Sequence, residues 1–221
     1  MTTRTFVFDA YGTLFDVHAA IGRHRAACGP DADRMSEIWR AKQLEYTWML
    51  TLSGQYQDFW TLTERALDYS FARVPSADKA IKPKLLESYF SLDAFPDARI
   101  ALGELKKRGN RTAILSNGSP KMLQGAVEGA RIAPLLDKVL SVDAVRMYKP
   151  RKEVYAMVTE SFASKPDDIV FISSNRWDVM GAIVCGFHGV WVNRSKMPDE
   201  YLEQRPESIL PDLASLPSHA A

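Results

Sequence analysis

Short apolar runs alternate along the sequence with longer segments of helical periodicity, and this alternation restricts the fold more than any other feature. The first run, Thr5–Phe8, and the later runs 112–115, 169–172 and 189–192 are rich in β-branched and aromatic residues and have the length of buried strands. A further short run covers 138–142. Strands separated by helices form a parallel sheet that helices cover on both faces. The sequence therefore predicts an α/β fold in which 189–192 is the last strand.

Between the first strand and residue 94, helical periodicity replaces the strand-like runs. Apolar residues recur at three- and four-residue steps over 41–52, 59–71 and 84–92, which predicts three amphipathic helices. The pattern indicates a helical subdomain inserted into the sheet-forming core. The apolar stripe of the first helix is predicted from Ala41, Leu44, Trp48 and Leu52. The predicted units are the core, 1–15 and 95–221, and the helical cap subdomain, 16–94.

Composition and charge exclude several classes of function. The net charge of +1 provides no global field that would attract nucleic acid. No apolar stretch reaches the ~20 residues that a membrane-spanning helix needs, and the first residues lack a signal-peptide pattern. We therefore expect a cytoplasmic protein that binds neither nucleic acid nor membrane. Cys28 and Cys185 are expected to be free thiols, with one disulfide as the alternative. The tail, 213–221, is expected to fray.

Polar groups follow four of the strands or short connectors. Asp9 follows the first strand, Ser116 and Asn117 follow the second, Lys149 follows a connector, and the segment 173–178 follows the strand at 169–172. The carboxyl ends of parallel strands lie along one edge of a sheet, and ligands bind there. These groups are therefore expected to converge on one site, although they are far apart in sequence.

The residues at these strand ends resemble those of the haloacid dehalogenase superfamily, and within it those of the L-2-haloacid dehalogenases. The resemblance covers essentially the whole chain and includes part of the helical insert. It implies a Rossmann-like core with a cap, a small 2-halocarboxylic acid and water as partners, no cofactor, and a possible homodimer. The motifs that carry it are Asp9-Ala-Tyr-Gly-Thr-Leu, Ser116-Asn-Gly-Ser, Tyr148-Lys-Pro, Ser173-Ser-Asn-Arg-Trp-Asp and, in the insert, Trp39-Arg-Ala-Lys-Gln-Leu-Glu-Tyr-Thr-Trp.

The resemblance implies a two-step reaction. Asp9 displaces halide from Cα of an L-2-haloacid and forms an ester, and water then hydrolyses the ester to a D-2-hydroxy acid. The residues implied as catalytic are Asp9, Thr13, Arg40, Ser116, Lys149, Tyr155, Ser173, Asn175 and Asp178. The residues implied to bind substrate or halide are Tyr11, Arg40, Leu44, Phe59, Ser116, Asn117 and Trp177.

Each residue has an implied part in that reaction. Thr13 and Ser173 would orient the Asp9 carboxylate. Halide would be held by Arg40, Asn117 and Trp177, and the substrate carboxylate by Ser116 and the amides near Tyr11 and Gly12. Tyr11, Leu44, Phe59 and Trp177 would enclose the apolar part of the substrate. Asn175, Asp178 and Lys149 would hold or activate water, in a network organised by Tyr155.

Two positions depart from the phosphatases of the same superfamily. Those enzymes carry a second aspartate two residues after the nucleophile and another near the last acidic residue of the site. Here these positions are Tyr11 and Ser174. Mg²⁺ requires several oxygen ligands in near-octahedral geometry, so Asp9 and Asp178 beside a lysine are a poor site for it. We therefore expect no metal.

Each candidate residue also has an ordinary structural explanation when it is taken singly. Asp9 could be a turn or helix-capping residue, and Lys149 could be a loop residue. Hydroxyl and amide side chains could only satisfy backbone groups, Arg40 could be solvated, and Tyr155 could be packing. Two other functions also stay open: an Mg²⁺-dependent phosphatase, and a binding protein that keeps the fold without catalysis. Arg176 could point to solvent or could bias the site toward anions.

Overall fold

The computed structural model describes residues 4–220, and its centre is a six-stranded sheet in which every strand pair is parallel. The order across the sheet is β3-β2-β1-β4-β5-β6. This arrangement confirms the predicted α/β fold. The strands are β1, Thr5–Phe8; β2, Arg111–Ser116; β3, Lys138–Ser141; β4, Ile169–Ser173; β5, His188–Val192; and β6, Ser208–Leu210.

The strand β1 lies in the middle of the sheet, between β2 and β4. Its last residue, Phe8, pairs with Ile114 on one side and Ile172 on the other. All four side chains of β1 are buried, because helices cover both faces of a parallel sheet. Asp9 thus leaves the sheet at the centre of its carboxyl edge, where neighbouring loops meet.

Nine α-helices are present among residues 4–220. The first five all fall between β1 and β2, within the predicted insert, and the other four flank the strands of the sheet. The helices are α1, Ala19–Arg23; α2, Arg25–Cys28; α3, Ala32–Leu52; α4, Phe59–Arg73; α5, Lys82–Phe90; α6, Pro96–Lys107; α7, Pro120–Gly129; α8, Lys152–Phe162; and α9, Arg176–Val184.

Helix α3 packs against helix α4 with a face other than its predicted apolar stripe. The Trp39 indole N–H donates to the Thr63 carbonyl at 2.9 Å, and the Gln43 amide donates to the Thr63 hydroxyl at 2.9 Å. Polar residues can therefore be buried here, because helix α4 supplies their partners. The face that packs on α4 is therefore not the predicted apolar stripe, of which Ala41 and Leu52 are exposed and Leu44 and Trp48 are partly buried.

The two connections between the insert and the core run side by side. Phe15 and Ala94 form an isolated antiparallel bridge, and the Phe95 amide donates to the Leu14 carbonyl at 2.8 Å. The boundaries 15/16 and 94/95 stay a prediction. We refer below to residues 16–94 as the cap.

Two expectations for the C-terminal region were wrong. The last strand is β6, whose three residues lie beyond a polar and proline-containing stretch that hides them from a periodicity analysis. The tail does not fray as a whole, since Leu213 and Leu216 are fully buried and the Leu213 amide donates to the Asp97 carboxylate at 2.7 Å. Ala221, which the expectation also covered, lies outside the described residues.

Two further expectations concern the cysteines and the membrane. Cys28 and Cys185 are both free thiols, as expected. Within the described part of the chain, every helix is too short or too polar to cross a bilayer.

Candidate active site

The Asp9 carboxylate is held by donors from three different segments. Its Oδ2 accepts hydrogen bonds from the Thr13 hydroxyl at 3.2 Å and from the Asn175 side-chain amide at 2.9 Å. Its Oδ1 lies 3.1 Å from the Lys149 ammonium. Asp9 is only 6 % exposed, so these contacts replace most of its hydration. Charged and neutral donors together fix the orientation of this carboxylate.

A turn after β1 places Thr13 beside Asp9. Gly12 has a φ of +95°, and a Cβ atom there would approach the Ser174 hydroxyl oxygen to 3.0 Å. This position therefore favours glycine on both conformational and steric grounds. The Ser174 backbone amide donates to the Thr13 hydroxyl oxygen at 2.8 Å. The Thr13 proton can then be donated to Asp9 Oδ2 or to the Ser174 hydroxyl oxygen, which both lie 3.2 Å away.

Lys149 lies between two buried carboxylates. Its ammonium is 3.1 Å from Asp9 Oδ1 and 2.8 Å from Asp178 Oδ2, while Lys149 is 1 % and Asp178 0 % exposed. Burial by itself would lower the pKa of Lys149, but the two carboxylates outweigh it and the pKa is raised. The lysine is therefore a permanent cation at the centre of the site.

The pKa of Asp178 moves in the same direction for a different balance of causes. Burial raises it, the Lys149 ammonium opposes this rise, the nearby charge of Asp9 adds to it, and the resulting pKa is about 6. Lys149 has two opposite charges beside it, whereas Asp178 has one opposite and one like charge. Asp178 is thus a carboxylate at neutral pH with an unusually high proton affinity.

Tyr155 completes the contacts of Asp178 from helix α8. Its hydroxyl lies 2.7 Å from Asp178 Oδ1 and 3.1 Å from the Asp178 carbonyl oxygen. Burial and the neighbouring Asp178 charge raise the pKa of Tyr155 well above its usual value, so the phenol keeps its proton and acts as a donor. A Cβ atom at Gly181 would come within 2.5 Å of this hydroxyl. The glycine leaves the space that Tyr155 occupies.

A small cavity adjoins Asp9. Arg40 reaches it from helix α3 and donates to the Tyr11 carbonyl at 3.1 Å. The cavity therefore joins one carboxylate, one guanidinium, amide and hydroxyl groups, and aromatic walls. Its lining consists of Asp9, Tyr11, Arg40, Leu44, Phe59, Ser116, Asn117, Asn175 and Trp177.

Residues that the sequence did not assign to the site support the walls of this cavity. The Tyr11 ring stacks on Tyr89 with 5.8 Å between centroids, and Trp177 meets Trp48 edge-on at 5.4 Å. Sequence reasoning did not identify Tyr89 as part of the site. The apolar spacing of its helix gave only a packing signal for it.

The two serines and Asn117 have contacts that their motifs did not specify. The Ser116 hydroxyl accepts from the Gly118 amide at 3.1 Å, and the Ser173 hydroxyl accepts from the Asn175 amide at 3.1 Å. The Asn117 side-chain oxygen accepts from the Lys149 amide at 3.1 Å. All three side chains therefore fix the backbone of the site.

The expectation that the Ser173 hydroxyl orients the Asp9 carboxylate is corrected by the structure. The structure places the hydroxyl donor to Asp9 at Thr13, while Ser173 instead holds the turn that carries Asn175. Asn175, which was expected to hold water, donates directly to Asp9. The reason is the position of the turn after β4, which brings the side-chain amide of Asn175, rather than the hydroxyl of Ser173, to the Asp9 carboxylate.

Arg176 neither points to solvent nor lines the cavity. It is 4 % exposed, pairs with Asp199 at 2.7 Å, and donates to the carbonyls of Tyr201 at 2.6 Å and Gln204 at 2.8 Å. Its role is to hold the segment between β5 and β6. Both alternatives that the sequence suggested for it were therefore wrong.

We expect Arg176→Met to lower the free energy of unfolding by about 3 kcal/mol, because it leaves a carboxylate and two carbonyls without their buried partner. Urea denaturation followed by circular dichroism measures this change. Arg205→Met, at an exposed arginine of the same segment, is the matched control and should change stability by less than about 0.5 kcal/mol. Equal effects of the two substitutions would contradict the assigned role.

The donor set of the site does not suit a divalent cation. Among the described residues, no group of three or more histidine, cysteine, aspartate or glutamate side chains is arranged to hold a metal ion. Asp9 and Asp178 are the carboxylates at the site, and the Lys149 ammonium lies between them. A second positive charge at that position would be repelled at short range. The aromatic ring of Tyr11 adds no ligand there.

Comparison with known proteins places this site in a family. Residues 3–186 match a family of hydrolases described as haloacid dehalogenase-like hydrolases. The (S)-2-haloacid dehalogenase 1 of Pseudomonas sp. (strain CBS-3) is 43 % identical over 217 residues, which are 97 % of this chain and 95 % of the relative. The (S)-2-haloacid dehalogenase 4A of Burkholderia cepacia is 43 % identical over a region that covers 90 % of this chain and 86 % of the relative.

A solved structure provides a comparison in three dimensions. It is the L-2-haloacid dehalogenase from Xanthobacter autotrophicus with chloropropionic acid covalently bound. It superposes with a TM-score of 0.89 at 33 % identity and covers 99 % of this chain and 98 % of its own.

Proposed function

Because the chain belongs to the haloacid dehalogenase-like hydrolases, and among them to the (S)-2-haloacid dehalogenases, we propose that it hydrolyses small L-2-haloacids to D-2-hydroxy acids with Asp9 as the nucleophile. The observation that carries this proposal is the Asp9 carboxylate itself. It is buried, is oriented by Thr13, Asn175 and Lys149, and lines a cavity that also contains a guanidinium.

In the first step, an oxygen of Asp9 attacks Cα of the haloacid. A carbon–oxygen bond forms as the carbon–halogen bond breaks, and the halide leaves with the bonding electron pair. Displacement from the rear inverts Cα, which accounts for an L substrate and a D product. Arg40 suits the departing anion because a guanidinium stays charged and is weakly hydrated. Asn117 and Trp177 line the same cavity.

In the second step, water attacks Cγ of the Asp9 ester. Water gives a proton to a base as its oxygen adds to Cγ, the bond between Cγ and the ester oxygen then breaks, and that oxygen takes the proton back from the base. The 2-hydroxy acid leaves, and Asp9 is restored as a carboxylate when the second water proton is released to solvent. Asp178 is our candidate for this base, since its pKa of about 6 leaves it ionised yet ready to accept a proton near neutral pH. Tyr155 and Lys149 hold both of its oxygens in place.

No divalent cation has a part in this proposal. The Lys149 ammonium supplies the positive charge that two adjacent carboxylates need. The same feature argues against the phosphatase alternative, because phosphoryl transfer relies on positive charge at the phosphoryl oxygens and Lys149 is instead fully engaged by Asp9 and Asp178.

The test is chloride release from each enantiomer of 2-chloropropionate with EDTA present. We expect chloride from the (S) enantiomer only, at a rate that EDTA does not change. Release from a generic phosphate ester that EDTA abolishes would support the phosphatase instead. If the protein releases no halide from either chloropropionate or from bromoacetate, and circular dichroism shows that it is folded, the non-catalytic binding protein would be favoured.

The rate should also depend on pH in a defined direction. As pH falls through about 6, Asp178 becomes protonated, loses its charge toward Lys149 and no longer accepts a proton from water. We expect kcat for the (S) enantiomer to fall about tenfold for each further pH unit below that value. A kcat that stays constant well below pH 6 would exclude Asp178 as the base.

The homodimer, the cytoplasmic location and the absence of other partners stay predictions. Sedimentation of the purified protein tests the first of them.

A further inference from the structure

The residue before the central lysine is held by the cap rather than by the core. The Tyr148 amide donates to the Thr51 hydroxyl oxygen at 3.2 Å, and its phenol donates to the Gln57 carbonyl at 2.5 Å. Tyr148 is fully buried. Both Thr51 and Gln57 belong to the end of helix α3 and the loop that follows it.

The next amide along the chain is held by the core. The Lys149 amide donates to the Asn117 side chain at 3.1 Å, directly after β2. Two consecutive backbone amides thus have partners on opposite sides of the junction between cap and core. The chain at this point cannot keep both hydrogen bonds unless the cap is docked.

Aromatic and charged contacts strengthen the same junction. Tyr56 of the cap stacks on Tyr148 with 5.3 Å between ring centroids, and its hydroxyl donates to the Asp143 carboxylate. The Arg146 guanidinium lies 4.9 Å from the centroid of the Tyr56 ring. This cluster, formed by Thr51, Tyr56, Gln57, Asp143, Arg146 and Tyr148, is called the cap junction below.

We propose that Thr51 and Tyr148 are positioning residues through which docking of the cap sets the place of the Lys149 ammonium between Asp9 and Asp178. The inference rests on the proposed function, because it assigns a use to that ion-pair geometry. The cap also carries Arg40, Leu44 and Phe59, so docking completes the cavity and positions the lysine in one event. The site is then assembled only when the cap is docked.

The strength of this coupling follows from what a displaced ammonium would do. Coulomb energy between Lys149 and Asp178 falls as their separation grows from 2.8 Å, and few other charges are available at this place. The groups that face Asp178 are Lys149, Asp9 and Tyr155. A larger separation between Lys149 and Asp178 therefore makes Asp178 a stronger base. The acid limb of the kcat profile, which is the fall of kcat at low pH, then moves to higher pH.

The experiment compares Thr51→Val, which removes the acceptor but keeps the shape, with Thr51→Ser, which keeps a hydroxyl oxygen. For Thr51→Val and for Tyr148→Phe we expect kcat to fall about 5- to 20-fold and the acid limb to rise by about half a pH unit. Thr51→Ser should restore the wild-type limb. Thr112→Val, which removes a buried hydroxyl bonded to the Leu135 carbonyl far from the cap, should lower stability without moving the limb.

The possible outcomes separate the explanations. An unmoved acid limb in both Thr51→Val and Tyr148→Phe would overturn the inference, even if kcat fell. If Thr51→Val does not fold, Tyr148→Phe decides alone, because it keeps the ring and loses one hydroxyl. If the wild type releases no halide, the proposed function fails. The cap junction is then judged by NMR titration of the Asp178 carboxyl carbon in the same variants, where an unchanged pKa rejects it.

Discussion

Asp9→Asn is expected to lower halide release from the (S) substrate by at least about 10⁴-fold, because the amide has no charge with which to displace halide and cannot form the ester. Asparagine keeps the size of the side chain and an oxygen that can accept from Thr13. The fold should therefore be retained. Initial rates of chloride release, measured with equal concentrations of folded protein, test the expectation.

The control for Asp9→Asn is Asp33→Asn, at an exposed carboxylate of the cap that pairs with Arg25. It should leave the rate unchanged. Mass spectrometry adds a direct view of the intermediate: Asp178→Asn should accumulate a protein that carries the substrate without its halogen, because hydrolysis is slowed more than displacement. Residual activity of Asp9→Asn near the wild-type rate would assign the nucleophile to another group.

Lys149→Met should have the second large effect, on stability as well as on rate. It leaves two buried carboxylates without their cation, so we expect a loss of about 3–5 kcal/mol in the free energy of unfolding. The rate of halide release should fall about 10³-fold or more, because without the ammonium Asp9 and Asp178 cannot readily be ionised at the same time. Urea denaturation and chloride release measure the two effects.

The loss of stability in Lys149→Met has a predictable dependence on pH. Without the ammonium, burial and mutual repulsion raise the pKa of the carboxyl pair in the folded state above its unfolded value. The folded state then binds more protons than the unfolded state, so its stability is greatest at low pH and falls as pH rises through the raised pKa. The variant should therefore be closer to the wild type at acid pH than above neutrality.

Two matched variants sharpen this prediction. Lys152→Met, at an exposed lysine of helix α8, should change neither stability nor rate appreciably. Lys149→Met combined with Asp178→Asn should regain part of the lost stability, since one uncompensated charge is gone, but no activity. If Lys149→Met were as stable as the wild type at every pH, the ion pairs would not have the role that their geometry indicates.

The sequence predicted the sheet and the site through features that are local to short segments. Each of the four-residue apolar runs became a strand because its residues favour an extended and buried backbone. Parallel pairing then brought Asp9, Asn117 and Asp178 to one edge, where each of them contacts Lys149. The predictions failed where a segment had no such pattern, as at β6, or where burial depended on partners, as on helix α3.

What the sequence by itself determined is therefore the order of most elements, the place of Asp9 at the end of the first strand, and the set of residue types around it. Tertiary structure alone decided which donor reaches which acceptor. Asn175 rather than Ser173 contacts Asp9, Arg176 holds a distant segment, and Tyr148 ties the cap to the lysine. The physical reason is range: strand formation depends on neighbouring residues, whereas a hydrogen bond depends on a few ångströms of separation between segments far apart in the chain.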